Sequence, residues 1–142
     1  MSEYVPSPTG WVADHVHRYE ASGGADGGDL GGLPVVIVTH TGRKTGSTRK
    51  TPLMRVKVGE SYVLVASIGG APDNPQWVHN LVANPEVTIQ DREEVLPMRA
   101  RLVDDPEEKA RLWAAANAAY PEYETYQART ERSIPVFLAE PR

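Results

Sequence analysis

The chain has 142 residues, a net charge of −4 and no cysteine, which excludes a disulfide scaffold, a thiol nucleophile and any cysteine-ligated zinc or iron–sulfur centre. No apolar run approaches the roughly 18 residues of a membrane span, and the N-terminus lacks the basic and apolar blocks of a signal peptide, so we expect a cytoplasmic protein. Twelve glycines and twelve prolines favour tight turns over a helix bundle.

Apolar spacing and turn residues predict the elements. In chain order they are a helix at 7–22, a Gly-rich flexible linker at 22–33, strands at 34–41, 48–58 and 62–67, a helix at 75–83, a hairpin of strands at 86–90 and 93–103, helices at 104–120 and 122–130, and a strand at 134–139. Pro52 indicates an edge or a bulge in the strand that contains it.

The order of the elements indicates the fold class. The strands follow one another as hairpins and do not alternate with helices, so we predict an α+β, mainly β fold: an antiparallel sheet or barrel with helices packed outside. The linker suggests a division into an N-terminal segment (1–33) and a main domain (34–142).

The charges are distributed unevenly along the chain. No Asp or Glu lies between Leu30 and Gly59, where the basic residues are Arg43, Lys44, Arg49, Lys50, Arg55 and Lys57. One basic stretch in an acidic chain predicts a site for a single anion and argues against a nucleic-acid partner. Its turn, TGRKTG, combines two glycines that can expose backbone amides with an Arg and a Lys, which suits a phosphate or a carboxylate. A solvated basic hairpin tip is the alternative.

Two further patterns carry weaker signals. Paired glycines after a strand, in SIGGA at 67–71, allow a ligand to approach the backbone closely. Tyr120, Tyr123 and Tyr126 recur at a spacing of three, which suits either a wall for a flat substrate or the packing of an amphipathic helix.

The remaining polar residues give no catalytic constellation of their own. The four histidines are not spaced as metal ligands, so we interpret each as structural and predict no metal site. No Ser-His-Asp set or carboxylate pair stands out, so any enzyme activity requires a cofactor that supplies the reactive atom.

Three motifs resemble one family. They are THTGRKTGSTRKTPL, VASIGGAPDNPQWVHNLVANPEV and YPEYETYQARTERSIPV, and the N-terminal WVADHVHRYEASGGADG is similar as well. Over about residues 11–140 the chain resembles the deazaflavin-dependent nitroreductases. The resemblance implies a split β-barrel, also seen in flavin-mononucleotide enzymes, and coenzyme F-420, an 8-hydroxy-5-deazaflavin with a phospholactyl and oligoglutamate tail.

The resemblance also implies roles for individual residues. Those at the cofactor would be Arg43, Lys44 and Arg49 at the anionic tail, with Pro52, Ser67, Ile68, Gly69, Gly70, Pro75, Gln76 and Trp77. Those at the acceptor would be Ser67, Tyr120, Tyr123 and Tyr126, with Tyr120 the most core-like of the three tyrosines. Ile68 and Met54 depart from the family pattern, which carries Lys or Asn and an aromatic residue at these positions.

The implied activity is hydride transfer from reduced coenzyme F-420 to a quinone, a nitroaromatic or an activated enone. The alternatives are a reductase of the same fold that uses flavin mononucleotide (FMN), and a carrier that holds the deazaflavin without turnover. We expect at most weak membrane association, because the N-terminal helix has only a small apolar face and is not strongly basic. A homodimer and a monomer both stay open.

Overall fold

The computed structural model describes residue 4 and residues 10–30, 33–66, 76–130 and 133–142. Its elements are α1 (Gly10–Ser22), β1 (Asp29–Leu30), β2 (Leu33–Thr41), β3 (Thr48–Met54), β4 (Lys57–Val58), β5 (Ser61–Val65), α2 (Gln76–Ala83), β6 (Glu86–Asp91), β7 (Glu94–Leu102), α3 (Pro106–Ala119), α4 (Glu122–Ala128) and β8 (Val136–Pro141). Among these helices, none is long and apolar enough to cross a membrane. The predicted succession of helices and hairpins is confirmed, with two differences at β1 and at β3–β4.

The strands form one antiparallel sheet in the order β1-β2-β6-β7-β8-β5-β4, and β3 pairs with β2. The strand predicted over 48–58 is two strands, because the chain crosses from one edge of the sheet to the other at Arg55 and Val56. The Arg55 backbone N–H donates to the Pro34 carbonyl at 2.9 Å, and the Val56 carbonyl accepts from the Val63 N–H at 2.8 Å. This crossing curls the sheet into the predicted split β-barrel.

Pro52 lies at an edge, as its lack of a backbone donor predicts. It sits opposite Ile37 in the β2–β3 ladder, and β3 has no second strand partner in the described sheet. A residue without an N–H is tolerated there because no ladder bond is lost on the outer side.

Alternation along each strand separates the core into two main layers. The inner core fills the barrel and receives α2; its members include Val36, Val38, Leu64, Ile89, Met98 and Phe137, with Trp77, Val78 and Leu81 from the helix. The outer core lies under α3 and α4; its members include Val63, Val65, Val136 and Leu138, with Leu112, Ala116 and Tyr123. A strand such as β2 is therefore apolar on both faces, as its near-continuous apolar run predicts.

The N-terminal helix packs on the outer face of β2. Tyr19 of α1 is fully buried beside Val35 and Ile37, and its hydroxyl accepts from the Arg92 backbone N–H at 2.6 Å. These contacts attach α1 to the turn between β6 and β7 as well as to β2.

The prediction of a flexible linker over 22–33 is wrong for much of that segment. Asp29 and Leu30 form β1 and pair with Pro34 and Leu33. Gly24 adopts φ +83°, and a Cβ there would lie 2.7 Å from the Arg92 Cα, so the glycine is required by both conformation and space. The division into domains at residue 33 stays a prediction.

Candidate functional site

The turn that joins β2 to β3, residues 42–47, carries the basic motif. It is closed by backbone bonds from the Gly42 N–H to the Ser47 carbonyl (2.8 Å) and from the Gly46 N–H to the Gly42 carbonyl (2.9 Å). The Ser47 N–H donates to the Thr45 hydroxyl, and the Arg43 N–H donates to a side chain of α2. The expectation of freely exposed amides is therefore wrong for four residues of the turn, and side chains must supply most of any anion binding.

The basic stretch divides into structural and unpaired cations. Lys50 pairs with Glu20 of α1 at 2.5 Å, and Arg55 pairs with Asp91 of β6 at 2.9 Å. Within the part of the chain that the structure describes, the cations of this stretch without an ion pair are Arg43, Lys44, Arg49 and Lys57. Three of these four belong to the turn or to the strand that follows it.

The direction of each β3 side chain follows from the ladder. Arg49 lies opposite His40, on the face of β3 shared with Thr51. That face continues the inner core, whereas Lys50 and Pro52 lie on the other face, toward α1. The structure thus brings Arg43, Lys44 and Arg49 to one end of the β2–β3 hairpin and places Pro52 on the opposite face of β3 from Arg49.

Two buried polar residues connect this hairpin to α2. Asn80 Oδ1 accepts the Arg43 backbone N–H at 3.0 Å, and Asn80 Nδ2 lies 3.1 Å from His40 Nδ1. His40 Nε2 lies 3.0 Å from the Thr51 hydroxyl. The sequence predicted a structural role for His40 and no role for Asn80. The available signal for Asn80 was an amide on an otherwise apolar helix face between Trp77 and Leu81.

The hydrogen-bond directions fix the state of His40. A backbone N–H can only donate, so Asn80 presents its oxygen to Arg43 and its NH2 group to His40. His40 Nδ1 must then accept, which requires a neutral ring that donates through Nε2 to Thr51. Burial, with a further effect of the Arg49 charge, lowers the pKa of His40 to about 4, which agrees with a neutral ring.

The segment between β5 and α2 holds several predicted site residues that lie outside the described part of the chain. These are Ser67, Ile68, Gly69, Gly70 and Pro75. Gln76 begins α2. Trp77 follows it and is buried in the inner core, with its ring centroid 5.7 Å from that of Phe137.

The three tyrosines form one aromatic cluster at the junction of α3 and α4. Tyr120 and Tyr126 share a hydrogen bond between their hydroxyls at 2.8 Å, and Tyr123 meets the Tyr120 ring edge-on with centroids 5.0 Å apart. Tyr123 belongs to the outer core and is 4% exposed, whereas Tyr120 and Tyr126 are half-buried. The expectation that Tyr120 is the most core-like is therefore wrong, because α4 turns Tyr123 inward.

Two phenols of this cluster, those of Tyr120 and Tyr123, are held in their neutral form. The bond to Tyr126, with burial, raises the pKa of Tyr120 to about 12, and burial raises the pKa of Tyr123 well above its ordinary value. At neutral pH these hydroxyls are hydrogen-bond donors and not bases.

The state of His40 predicts a pH dependence of stability. The unfolded chain takes up a proton near the ordinary pKa of 6.5 and the folded chain only near 4, so the contribution of His40 to the free energy of unfolding falls as the pH drops through this window and is constant below it. The loss amounts to about 3 kcal/mol. Urea unfolding between pH 7 and pH 4 measures it.

The control is His40→Asn, which keeps an acceptor at the position of Nδ1 but does not titrate. Subtracting its pH profile removes the contribution of the carboxylates. A parent protein whose stability falls no more steeply than that of the variant contradicts the assignment of a buried neutral ring.

Comparison with known proteins links this geometry to one group of enzymes. The family model for F420H(2)-dependent quinone reductases matches residues 11–141. An F420H(2)-dependent quinone reductase of Mycobacterium tuberculosis (strain ATCC 25618 / H37Rv) is 39% identical over 128 residues, which cover 87% of this chain and 85% of the relative.

Solved structures agree with the sequence comparison. A structure described as a domain-swapped dimer is 44% identical with a TM-score of 0.74 and covers 94% of this chain and 100% of its own. The structure of an F420-H2 dependent reductase, FDR-A, is 46% identical with a TM-score of 0.70 and covers 75% of this chain and 94% of its own. The chain therefore belongs to the family of quinone reductases that depend on reduced coenzyme F-420.

Proposed function

We propose that this protein reduces a quinone with a hydride from reduced coenzyme F-420. The observation that carries this proposal is the group of unpaired cations Arg43, Lys44 and Arg49 at one end of the β2–β3 hairpin of an acidic protein. The relatives named for the same activity cover most of the chain. A reductase specific for FMN and a carrier without turnover are the alternatives.

The unpaired cations fit the anionic tail of the cofactor. A phospholactyl group followed by several glutamates carries one phosphate and a row of carboxylates, so it needs cations spread over some distance. Arg43 and Lys44 are exposed on the turn, and Arg49 lies half-buried on the inner side of β3. An arginine guanidinium can hold a phosphate or carboxylate with two hydrogen bonds, and the flexible side chain of a lysine lets its ammonium group adjust to the position of an anion.

The deazaflavin, when bound, supplies a hydride from ring carbon 5 and so favours two-electron transfer over radical chemistry. The chain's part is to stack the acceptor beside that carbon and to stabilise the charge that develops on the acceptor oxygen. We assign the donor role to Ser67 or to a pocket tyrosine, and we assign the backbone at 68–70 and the start of α2, Pro75 to Trp77, to the ring of the cofactor.

The tyrosine cluster supports a role at the acceptor. Tyr120 and Tyr126 are half-buried and share a hydrogen bond between their hydroxyls, and the buried Tyr123 packs against both rings. The break between α3 and α4 at Pro121 allows α4 to move as a unit over a flat acceptor. In the bond between Tyr120 and Tyr126 one hydroxyl donates to the other, which leaves the second hydroxyl's proton for a quinone oxygen.

The proposal extends to further acceptors and to the oligomeric state of the protein. Nitroaromatics and activated enones are further acceptors with the flat shape and electron demand of a quinone. A solved relative is described as a domain-swapped dimer, so we propose a homodimer for this chain. The cytoplasmic location and the weak membrane association stay predictions.

A turnover assay tests the activity itself. The parent protein should oxidise reduced coenzyme F-420 when a quinone such as menadione is added and not in the absence of an acceptor. The return of the absorbance of the oxidised cofactor measures the reaction. Binding of the cofactor without oxidation, over a panel of quinones and nitroaromatics, indicates a carrier. Oxidation of reduced FMN at an equal or greater specificity constant indicates the flavin alternative.

Charge removal tests the tail site. Arg43→Ala, Lys44→Ala and Arg49→Ala should each weaken binding of coenzyme F-420 about tenfold, since each removes a charge-assisted bond. The loss should shrink at high salt, because exposed charges are screened. Fluorescence titration at two salt concentrations measures both effects.

Lys57→Ala is the matched control, because Lys57 is also an exposed cation without an ion pair in the described chain but lies in β4. Its affinity should equal that of the parent protein. An equal loss in Lys57→Ala, or a lowered melting temperature with unchanged affinity in the turn variants, contradicts the tail assignment.

Hydroxyl removal tests the acceptor site. Tyr126→Phe should lower kcat/KM for the quinone by about tenfold, if its phenol donates in the transition state, and leave the affinity for the cofactor unchanged. Tyr123→Phe should have less effect on turnover, because its ring is buried against its neighbours. If specificity constants for a quinone and a nitroaromatic match the parent in both variants, the cluster is only core.

A further inference from the structure

The contacts of Asn80 suggest how the cationic turn is held in place. The turn is exposed from Arg43 to Gly46, and its own backbone bonds join only Gly42, Gly46 and Ser47. Among the described contacts, the bond from the Arg43 N–H to Asn80 Oδ1 is the one that ties this exposed part to a helix. Without it, the backbone of Arg43 would be held only through the hairpin turn itself.

Asn80 can hold the turn because it is itself oriented. Its side chain is 8% exposed and His40 is 4% exposed, so neither finds water as an alternative partner and both depend on the bonds between them. His40 is oriented in turn by Thr51 on the neighbouring strand. Hydrogen bonds thus connect Thr51 to His40, His40 to Asn80, and Asn80 to Arg43; we call these four residues the relay. No described buried side-chain polar atom lacks a partner.

We propose that Asn80 and His40 are positioning residues for the anionic tail of the cofactor. The relay sets the backbone of Arg43 before the ligand arrives, so the guanidinium starts close to its bound position and less conformational freedom is lost on binding. The inference rests on the proposed tail site and adds to it two residues that act through the backbone of Arg43.

The test compares two ligands that differ only in the tail. One is coenzyme F-420 and the other is the same 8-hydroxy-5-deazaflavin with its ribityl chain alone, without phosphate, lactate or glutamates. Asn80→Ala should weaken binding of coenzyme F-420 about tenfold and change binding of the tail-less compound less than twofold. A general disturbance of the fold would weaken both ligands alike, and that result overturns the proposal.

A double-mutant cycle with Arg43→Ala tests whether Asn80 acts through Arg43. In the Arg43→Ala background, Asn80→Ala should cause little further loss of affinity for coenzyme F-420, because the guanidinium that it positions is already absent. Losses that simply multiply show that Asn80 acts independently of Arg43 and overturn the proposal.

Two variants at His40 test the relay without changing Asn80, so the test remains possible if Asn80→Ala does not fold. His40→Asn keeps an acceptor for the Asn80 NH2 group and should retain the affinity for coenzyme F-420. His40→Leu removes that acceptor and should bind coenzyme F-420 about tenfold more weakly than the parent protein does. Equal affinities in the two variants contradict the relay.

The control for helix α2 is His79→Ala, because His79 neighbours Asn80 and takes no part in the relay. Both ligands should bind this variant as tightly as they bind the parent protein.

A failure of the proposed tail site can be told apart from a failure of the relay. If the parent protein binds the tail-less compound as tightly as coenzyme F-420, the tail site itself is wrong, and the relay falls with it.

Discussion

The rest of the structure depends on the closure of the sheet at Arg55 and Val56. Backbone bonds at these two residues join the edge made by β2 and β3 to the edge made by β4 and β5. The Arg55 guanidinium lies 2.9 Å from the Asp91 carboxylate, which also accepts from the Tyr62 hydroxyl at 2.6 Å. A carboxylate this buried is costly unless it is paired and hydrogen-bonded, so the three residues stabilise the closure as a set.

Closure creates an interior that receives α2, and α2 in turn organises the candidate site. Trp77 and Leu81 of this helix enter the inner core, which brings Asn80, between them in sequence, to the start of the cationic turn. The same helix therefore connects the packing of the barrel with the placement of Arg43. The candidate site for a long anion thus depends on the apolar contacts that Trp77 and Leu81 of the same helix make.

Only part of this arrangement could be predicted from local sequence. The start of α3 can be predicted from four consecutive residues. The Asp105 side chain caps the helix by accepting from the Glu108 N–H, and Pro106 occupies the first turn. Pro52 marks an edge because it lacks a donor. The hairpins and the split barrel follow from the order of the strands and from the family resemblance.

The rest depends on contacts between distant residues. Lys50 and Arg55 resemble the other cations of the basic stretch in sequence, and only their partners, Glu20 and Asp91, set them apart as structural. Asn80 meets His40 across a separation of 40 residues, which no local pattern encodes. The tyrosines at a spacing of three are compatible with either core or pocket, and the packing of α4 decides that Tyr123 is the buried member.

We propose that Arg43, Lys44 and Arg49 favour a cofactor with a long anionic tail over one with a single phosphate. Titration of the parent protein with coenzyme F-420 and with FMN, at low and at high salt, tests it most directly. We expect coenzyme F-420 to bind more tightly than FMN, and the difference in affinity to narrow as salt screens the charges. Equal or reversed affinities, or a preference for coenzyme F-420 that salt leaves unchanged, would contradict it.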